Sequence, residues 1–145
     1  VAGISKKIEF LSEEDLITIN RYMILKFGGR YEHLTKNILN HNSLRYVLES
    51  VQSRIFGREI HVTIFEKAAA YAFNAIKNHI FYDGNKRTGI ESAFIFLSNN
   101  GIKIKEKVTK EDIVNLGVEI ENENMTLNDI AEWLKENSTR LRKLF

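Results

Sequence analysis

The stretch His79-Ile80-Phe81-Tyr82-Asp83-Gly84-Asn85-Lys86-Arg87-Thr88-Gly89 brings together a histidine, a carboxylate, a glycine-asparagine turn and two adjacent cations. Together these residues can handle a metal-bound phosphate beside a general base. An apolar helical pattern follows at once, so a helix is expected to start at Asn85. Its first N–H groups have no intrahelical partner, and its dipole favours an anion. Lys86 and Arg87 run against that dipole, a placement that makes sense when phosphate sits between them and the backbone. Gly84 permits the backbone turn into the helix. Asp83 is the only acid in the loop. A lone carboxylate beside a phosphate is a common way to hold Mg²⁺, with water and phosphate oxygens completing the octahedron. His79 is the natural general base for a hydroxyl attacking that phosphate. The combination points to phosphoryl or nucleotidyl transfer.

Each part alone has an ordinary explanation. A histidine at a helix end is commonly a structural cap, Asp83-Gly84 is a common turn, and Lys86-Arg87 alone would be a solvated face. Phe81 is core packing under either reading, anchoring the loop. The joint occurrence at fixed spacing carries the functional reading.

Two buried helices must position this loop. Thr63-Ile64-Phe65-Glu66 is a capping box opening a helix to about Asn78, apolar on most sides through Phe65, Ala68, Ala69, Ala72, Phe73 and Ile76. That character places it in the middle of a bundle. The next helix runs from about Asn85 to Asn99, with Ile90, Ala93, Phe94 and Leu97 as its core stripe and Gly101 as its stop. Earlier, Ser12 caps a helix carrying Leu16, Ile19, Met23 and Phe27 that Gly28-Gly29 terminates. Another covers Ser43 to about Ser53. Arg54 to Val62 is β-friendly and interrupted by Gly57, which predicts a short flap or hairpin. Ile102-Lys103-Ile104-Lys105 alternates like a short edge strand. Two further helices are capped by Thr109 and Thr126, the last burying Leu127, Ile130, Trp133 and Leu134. The fold class is mainly α, a helical bundle with a small β excursion.

At 145 residues the chain is expected to form a single domain, residues 1–145, able to bury a real core. A net charge of +2 with interleaved acids and bases, and no aromatic-interleaved basic stripe, argues against direct nucleic-acid binding. The basic tail Arg140, Arg142 and Lys143 reads as a solvated end. The absence of cysteine excludes a disulfide scaffold, a thiolate zinc site and a cysteine nucleophile, and fits a cytoplasmic location. No stretch has the length of apolar residues that a membrane span requires, and Val1 to Phe10 lacks a signal-peptide core.

The motif resembles the signature of the Fic/Doc family, His-x-Phe-x-Asp/Glu-Gly-Asn-Gly/Lys-Arg, with every fixed position filled from His79 through Arg87. The resemblance extends from about Leu11 to Gly101, and Lys86, Ile90 and Asn99-Asn100-Gly101 are similar to the Doc, toxin-forming branch. It implies a Fic-like bundle with a flap, ATP and Mg²⁺ as cofactors, and a protein hydroxyl as acceptor. His79 would then deprotonate a target threonine and Asp83 would hold Mg²⁺. Gly84 and Asn85 would donate to phosphate oxygens, while Lys86 and Arg87 neutralise charge on the transferred group. The flap would pin the target segment as an added strand.

Most Fic proteins have glycine where this chain has Lys86 and arginine where it has Ile90, and transfer AMP. The Doc branch instead transfers the γ-phosphate of ATP to a threonine of elongation factor Tu and arrests translation. A lysine filling the anion hole favours a different nucleotide pose, in agreement with that branch. The family's inhibitory pattern, Ser/Thr-x-x-x-Glu-Gly/Asn, is not matched: Glu121-Asn122 is preceded by Gly117, Glu123-Asn124 by Glu119, and Glu136-Asn137 by Glu132. The resemblance therefore implies a cognate antitoxin acting in trans. Two alternatives remain at this stage: AMP transfer to a protein hydroxyl, and a non-catalytic module that binds a nucleotide or partner at the helix end.

Overall fold

The computed structural model describes residues 7–141. Six helices dominate: α1 (Glu13–Phe27), α2 (His41–Val51), α3 (Ile64–Lys77), α4 (Asn85–Asn99), α5 (Lys110–Glu121) and α6 (Leu127–Glu136). Two small two-stranded antiparallel sheets accompany them. β1 (Arg54–Ile55) pairs with β2 (Arg58–Glu59), and β3 (Ile102–Ile104) pairs with β4 (Ser138–Arg140). The mainly helical bundle with a small β flap is therefore what the chain forms.

Helix α3 is the hub. Its buried residues, Lys67 to Ala72 and Asn74 to Ile76, occupy nearly its whole circumference, and it packs against α2, α4, α5 and α6. The alanines among them let neighbouring helices approach closely. Tyr71 is fully buried between Phe96 and the chain before α1, where its hydroxyl accepts the Leu11 N–H at 2.9 Å. Burial pushes the Tyr71 phenol up to about 12.

Several local expectations shift by a turn or less. Helix α2 begins at His41 because Asn40 caps it, accepting the Ser43 N–H. Thr63 caps α3 through the Glu66 N–H, but the Glu66 carboxylate reaches back one residue further, to the Val62 N–H, so the reciprocal half of the box is displaced. Helix α3 ends at Lys77, and His79 stands beyond it with φ 46°. Phe27, expected on the core face of α1, is exposed because α1 ends there and its last turn overhangs the site. Arg140 belongs to β4, which pairs with the expected edge strand β3. Arg142 and Lys143 lie outside the described residues.

Candidate active site

The loop from Asn78 to Gly84 crosses from the end of α3 to the start of α4, and a second loop braces it. Leu39 and Asn40 both donate N–H bonds to the Ile80 carbonyl, at 2.8 and 3.1 Å, and Tyr82 N–H donates to Asn37 O at 2.9 Å. Phe81 is buried, as its anchoring role requires. Asn85 closes the loop from within: its Oδ1 accepts the Phe81 N–H at 2.9 Å and its Nδ2 donates to the Phe81 carbonyl at 2.8 Å. The Asn85 side chain thus shapes the loop, while its backbone N–H belongs to the open first turn of α4.

Beneath the loop lies a buried amide network. Asn20 on α1 donates from Nδ2 to the Asp83 carbonyl at 2.9 Å and to Thr88 Oγ1 at 3.0 Å, and its Oδ1 accepts from Asn37 Nδ2 at 3.0 Å. Both asparagines are fully buried, at 0% exposure. Buried amides are costly unless satisfied, and here the satisfying partners are the loop itself and the first turn of α4.

Asp83 is tethered at both carboxylate oxygens. Oδ2 accepts the Arg30 N–H and Oδ1 the Gly84 N–H, each at 2.8 Å. The Arg30 N–H is the chief influence holding the Asp83 carboxyl below its ordinary range. Partial burial opposes it, and the Gly84 N–H, Arg87 and Lys86 assist it. The approach of this carboxylate requires glycine at 29: a Cβ there would sit 2.6 Å from Asp83 Oδ2, on a backbone with φ 129°. Gly84 adopts φ 79°, and a Cβ on it would meet Ile24 Cδ1 at 2.9 Å. Both glycines are therefore fixed by geometry.

His79, Tyr82, Asp83, Gly84, Asn85, Lys86, Arg87 and Glu121 line one cleft of about 300 Å³. Every residue assigned chemistry from the motif faces this single space. His79 is exposed, and its ring makes no hydrogen bond among the described residues. The Arg87 guanidinium lies 4.6 Å from the Phe27 ring centroid, and that of Arg30 lies 4.5 Å from the Tyr82 ring. Each cation is oriented by an aromatic face. Lys86 Nζ is 3.1 Å from Glu121 Oε1 on α5, with both side chains about half exposed. A carboxylate thus shares the cleft with Lys86 and Arg87.

The motif alone could not reveal Asn20, Asn37, Arg30, Phe27 or Glu121. Glu121 stood out only as part of an unmatched inhibitory pattern, because Gly117 replaces the hydroxyl residue. The buried asparagines carried a faint signal as polar positions interrupting or flanking apolar helical stretches. Among the described residues no three histidine, aspartate or glutamate side chains gather as a metal cluster.

Residues 10–97 match the model of the Fic/DOC family, and the chain belongs to that family. It is similar to the protein kinase doc of Escherichia phage P1, with 27% identity over 125 residues, covering 86% of this chain and 92% of that protein. It is likewise similar to the toxin Doc of Mycolicibacterium smegmatis, with 27% identity over 126 residues, covering 87% of this chain and 91% of that protein.

Proposed function

We propose that this chain is a Doc-like toxin that transfers the γ-phosphate of ATP to a threonine hydroxyl of elongation factor Tu and so arrests translation. The observation that carries the reading is the shared cleft, where His79, Asp83 and the uncapped start of α4 with Lys86 and Arg87 meet. The names of the two relatives, a protein kinase and a toxin, support the same reading.

In this mechanism the His79 imidazole takes the proton from the threonine hydroxyl. The hydroxyl oxygen attacks the γ-phosphorus, the bond from that phosphorus to the bridging oxygen breaks, and ADP leaves with the electron pair. The Asn85 N–H, together with Lys86 and Arg87, stabilises charge on the phosphate oxygens, whereas the Gly84 N–H, expected to join them, is already donated to Asp83 Oδ1. Asp83 fits the role of a Mg²⁺ ligand. It is a single ionised carboxylate beside an anion site, and each of its oxygens has accepted only one N–H. Bound there, Mg²⁺ would neutralise phosphate charge, taking its remaining ligands from phosphate and water. Phosphate binding would compete with Glu121 for Lys86.

The site of action under this reading is the cytoplasm, where ATP and elongation factor Tu are found. Among the described residues no helix is long and apolar enough to cross a membrane. An antitoxin acting in trans completes the module, and co-expression with a small neighbouring reading frame should relieve toxicity. Full toxicity despite that partner would count against it.

Incubation of the purified protein with Mg-ATP and elongation factor Tu, followed by peptide mass spectrometry, tests the reaction, with His79→Ala as control. A phosphothreonine absent from the control is the expected result. An adenylate would assign the chain to AMP transfer. Lys86→Gly should shift activity toward AMP transfer if the lysine blocks the usual phosphate position. No modification of any kind would favour the non-catalytic binding module.

A further inference from the structure

Outside the cleft, Lys67 is the side chain whose burial calls for an explanation. It lies in the first turn of α3 at 2% exposure. Its ammonium donates to Glu59 Oε2 and to the carbonyls of His61 and Val62. Three acceptors match the three N–H donors an ammonium carries. Burying a cation has a large desolvation cost unless it is fully partnered, and an apolar residue would fill the same space without that cost. All three acceptors belong to the flap: β2, and the bent segment that leads from it into α3.

The remaining flap contacts converge on the same point. Glu59 Oε1 accepts from Arg54 Nη2 at 3.4 Å, and Arg54 Nη1 donates to the Gly57 carbonyl at 2.9 Å. The hydrogen bond from the Lys67 ammonium, with its charge, holds the Glu59 carboxyl below its ordinary range. Lys67 on α3 therefore holds β2 and the segment after it, and Arg54 ties β1 and the turn to the same Glu59 carboxylate. Without such an anchor a two-stranded hairpin is marginal in water. The flap is also built for contact. Phe56 is 100% exposed at its tip with φ 50°, beside exposed Ile55, Ile60 and Val62.

Lys67 and the catalytic loop sit at opposite ends of one helix. The rise from Lys67 to Lys77 is about 15 Å, the length of roughly five residues of extended chain. We propose that Lys67 is a positioning residue that fixes the flap at a set distance from His79 and thereby determines how an extended segment of the protein substrate is presented. This rests on the protein-modifying function proposed above.

Three measurements on Lys67→Met and Glu59→Gln test it: circular dichroism, transfer to elongation factor Tu with the protein substrate varied, and trypsin cleavage after Arg54 and Arg58. Helical content should persist. The KM for the protein substrate should rise about tenfold while kcat stays within about twofold, and flap cleavage should accelerate about tenfold. Glu59→Gln keeps the carbonyl partners of Lys67, so it carries the test if Lys67→Met fails to fold. A folded variant with wild-type cleavage rates, or one that loses kcat at unchanged KM, overturns the proposal. A wild type that modifies no protein removes the proposed function and the substrate-presenting role with it, whereas unchanged cleavage in an active enzyme refutes the anchor alone.

Discussion

Helices α1, α5 and α6 begin in one way and α4 in the opposite way. Each of the first three opens with a hydroxyl residue and an aspartate three positions later, Ser12 with Asp15, Thr109 with Asp112 and Thr126 with Asp129, in reciprocal hydrogen bonds. Those termini satisfy two of their own N–H groups and place a negative charge at the positive end of the dipole. In α4 the capping position is Gly84, no side chain caps the helix, and the place of the aspartate is taken by Arg87. Its first turn contains no acid. The fold can close a helix start when stability is all that is required. It leaves this one open, with cations where carboxylates stand elsewhere, which is the arrangement an anion needs.

The sharpest way to break this comparison is to make α4 resemble the others. Arg87→Glu should gain roughly 0.3–1 kcal/mol from the dipole, partly offset by the lost contact with Phe27, yet reduce phosphate transfer by about 100-fold or more. Thermal melting and a transfer assay on the same preparation check both. A parallel loss of stability and activity would mean that the open terminus has no functional cause.

The next effect concerns the bracing. Asn20→Ala removes the donor to Thr88 Oγ1 and the near acceptor of Asn37 Nδ2, which keeps only a 3.5 Å bond to the Asp83 carbonyl, and should cost about 1–3 kcal/mol, read as a lower denaturation midpoint. Transfer should fall with it, because the Asp83 carbonyl loses its nearer donor and keeps only Asn37 Nδ2 at 3.5 Å. The matching control is a closed terminus: Thr126→Ala should cost about 1 kcal/mol and leave the transfer rate of the folded protein unchanged. Smaller still is Phe27→Ala, which removes the ring beneath Arg87. It should weaken nucleotide binding by about 0.5–1 kcal/mol with little change in melting, measurable by calorimetry.

Acid titration probes the tether of Asp83. Its carboxyl is held below the ordinary value near 3.8, chiefly by the Arg30 N–H. The stabilisation is therefore complete above that pH and is lost as pH falls through the lower folded value. The stability difference between wild type and Asp83→Asn should accordingly shrink only below about pH 4. A difference that persists unchanged at pH 2 would show that the carboxylate charge is irrelevant to the tether.

Much of the molecule was legible in the chain because its signals are local. Helix starts are marked by Ser12, Thr63, Thr109 and Thr126. Stops are marked by Gly28 and Gly101, and the flap by Gly57 between β-friendly residues. The motif itself is contiguous from His79 to Arg87, so a loop followed by a helix necessarily keeps its members close together. Phe27 misled because apolar periodicity cannot distinguish a core residue from a ring that supports a cation at a helix end. Strand β4 was hidden because Ser138-Thr139-Arg140 has no alternation of its own and becomes a strand only through pairing with β3.

Residue types and their spacing thus determined the helices, the flap and the chemistry gathered at the start of α4. The tertiary structure alone decided what supports that chemistry. Asn20 and Asn37 come from α1 and the following loop, Glu121 comes from α5, and Lys67 acts on a flap that precedes it in the chain. Buried amides and buried cations are tolerated only where folding supplies their partners. Those partners are brought together by packing between elements distant in sequence, and no local pattern announces them.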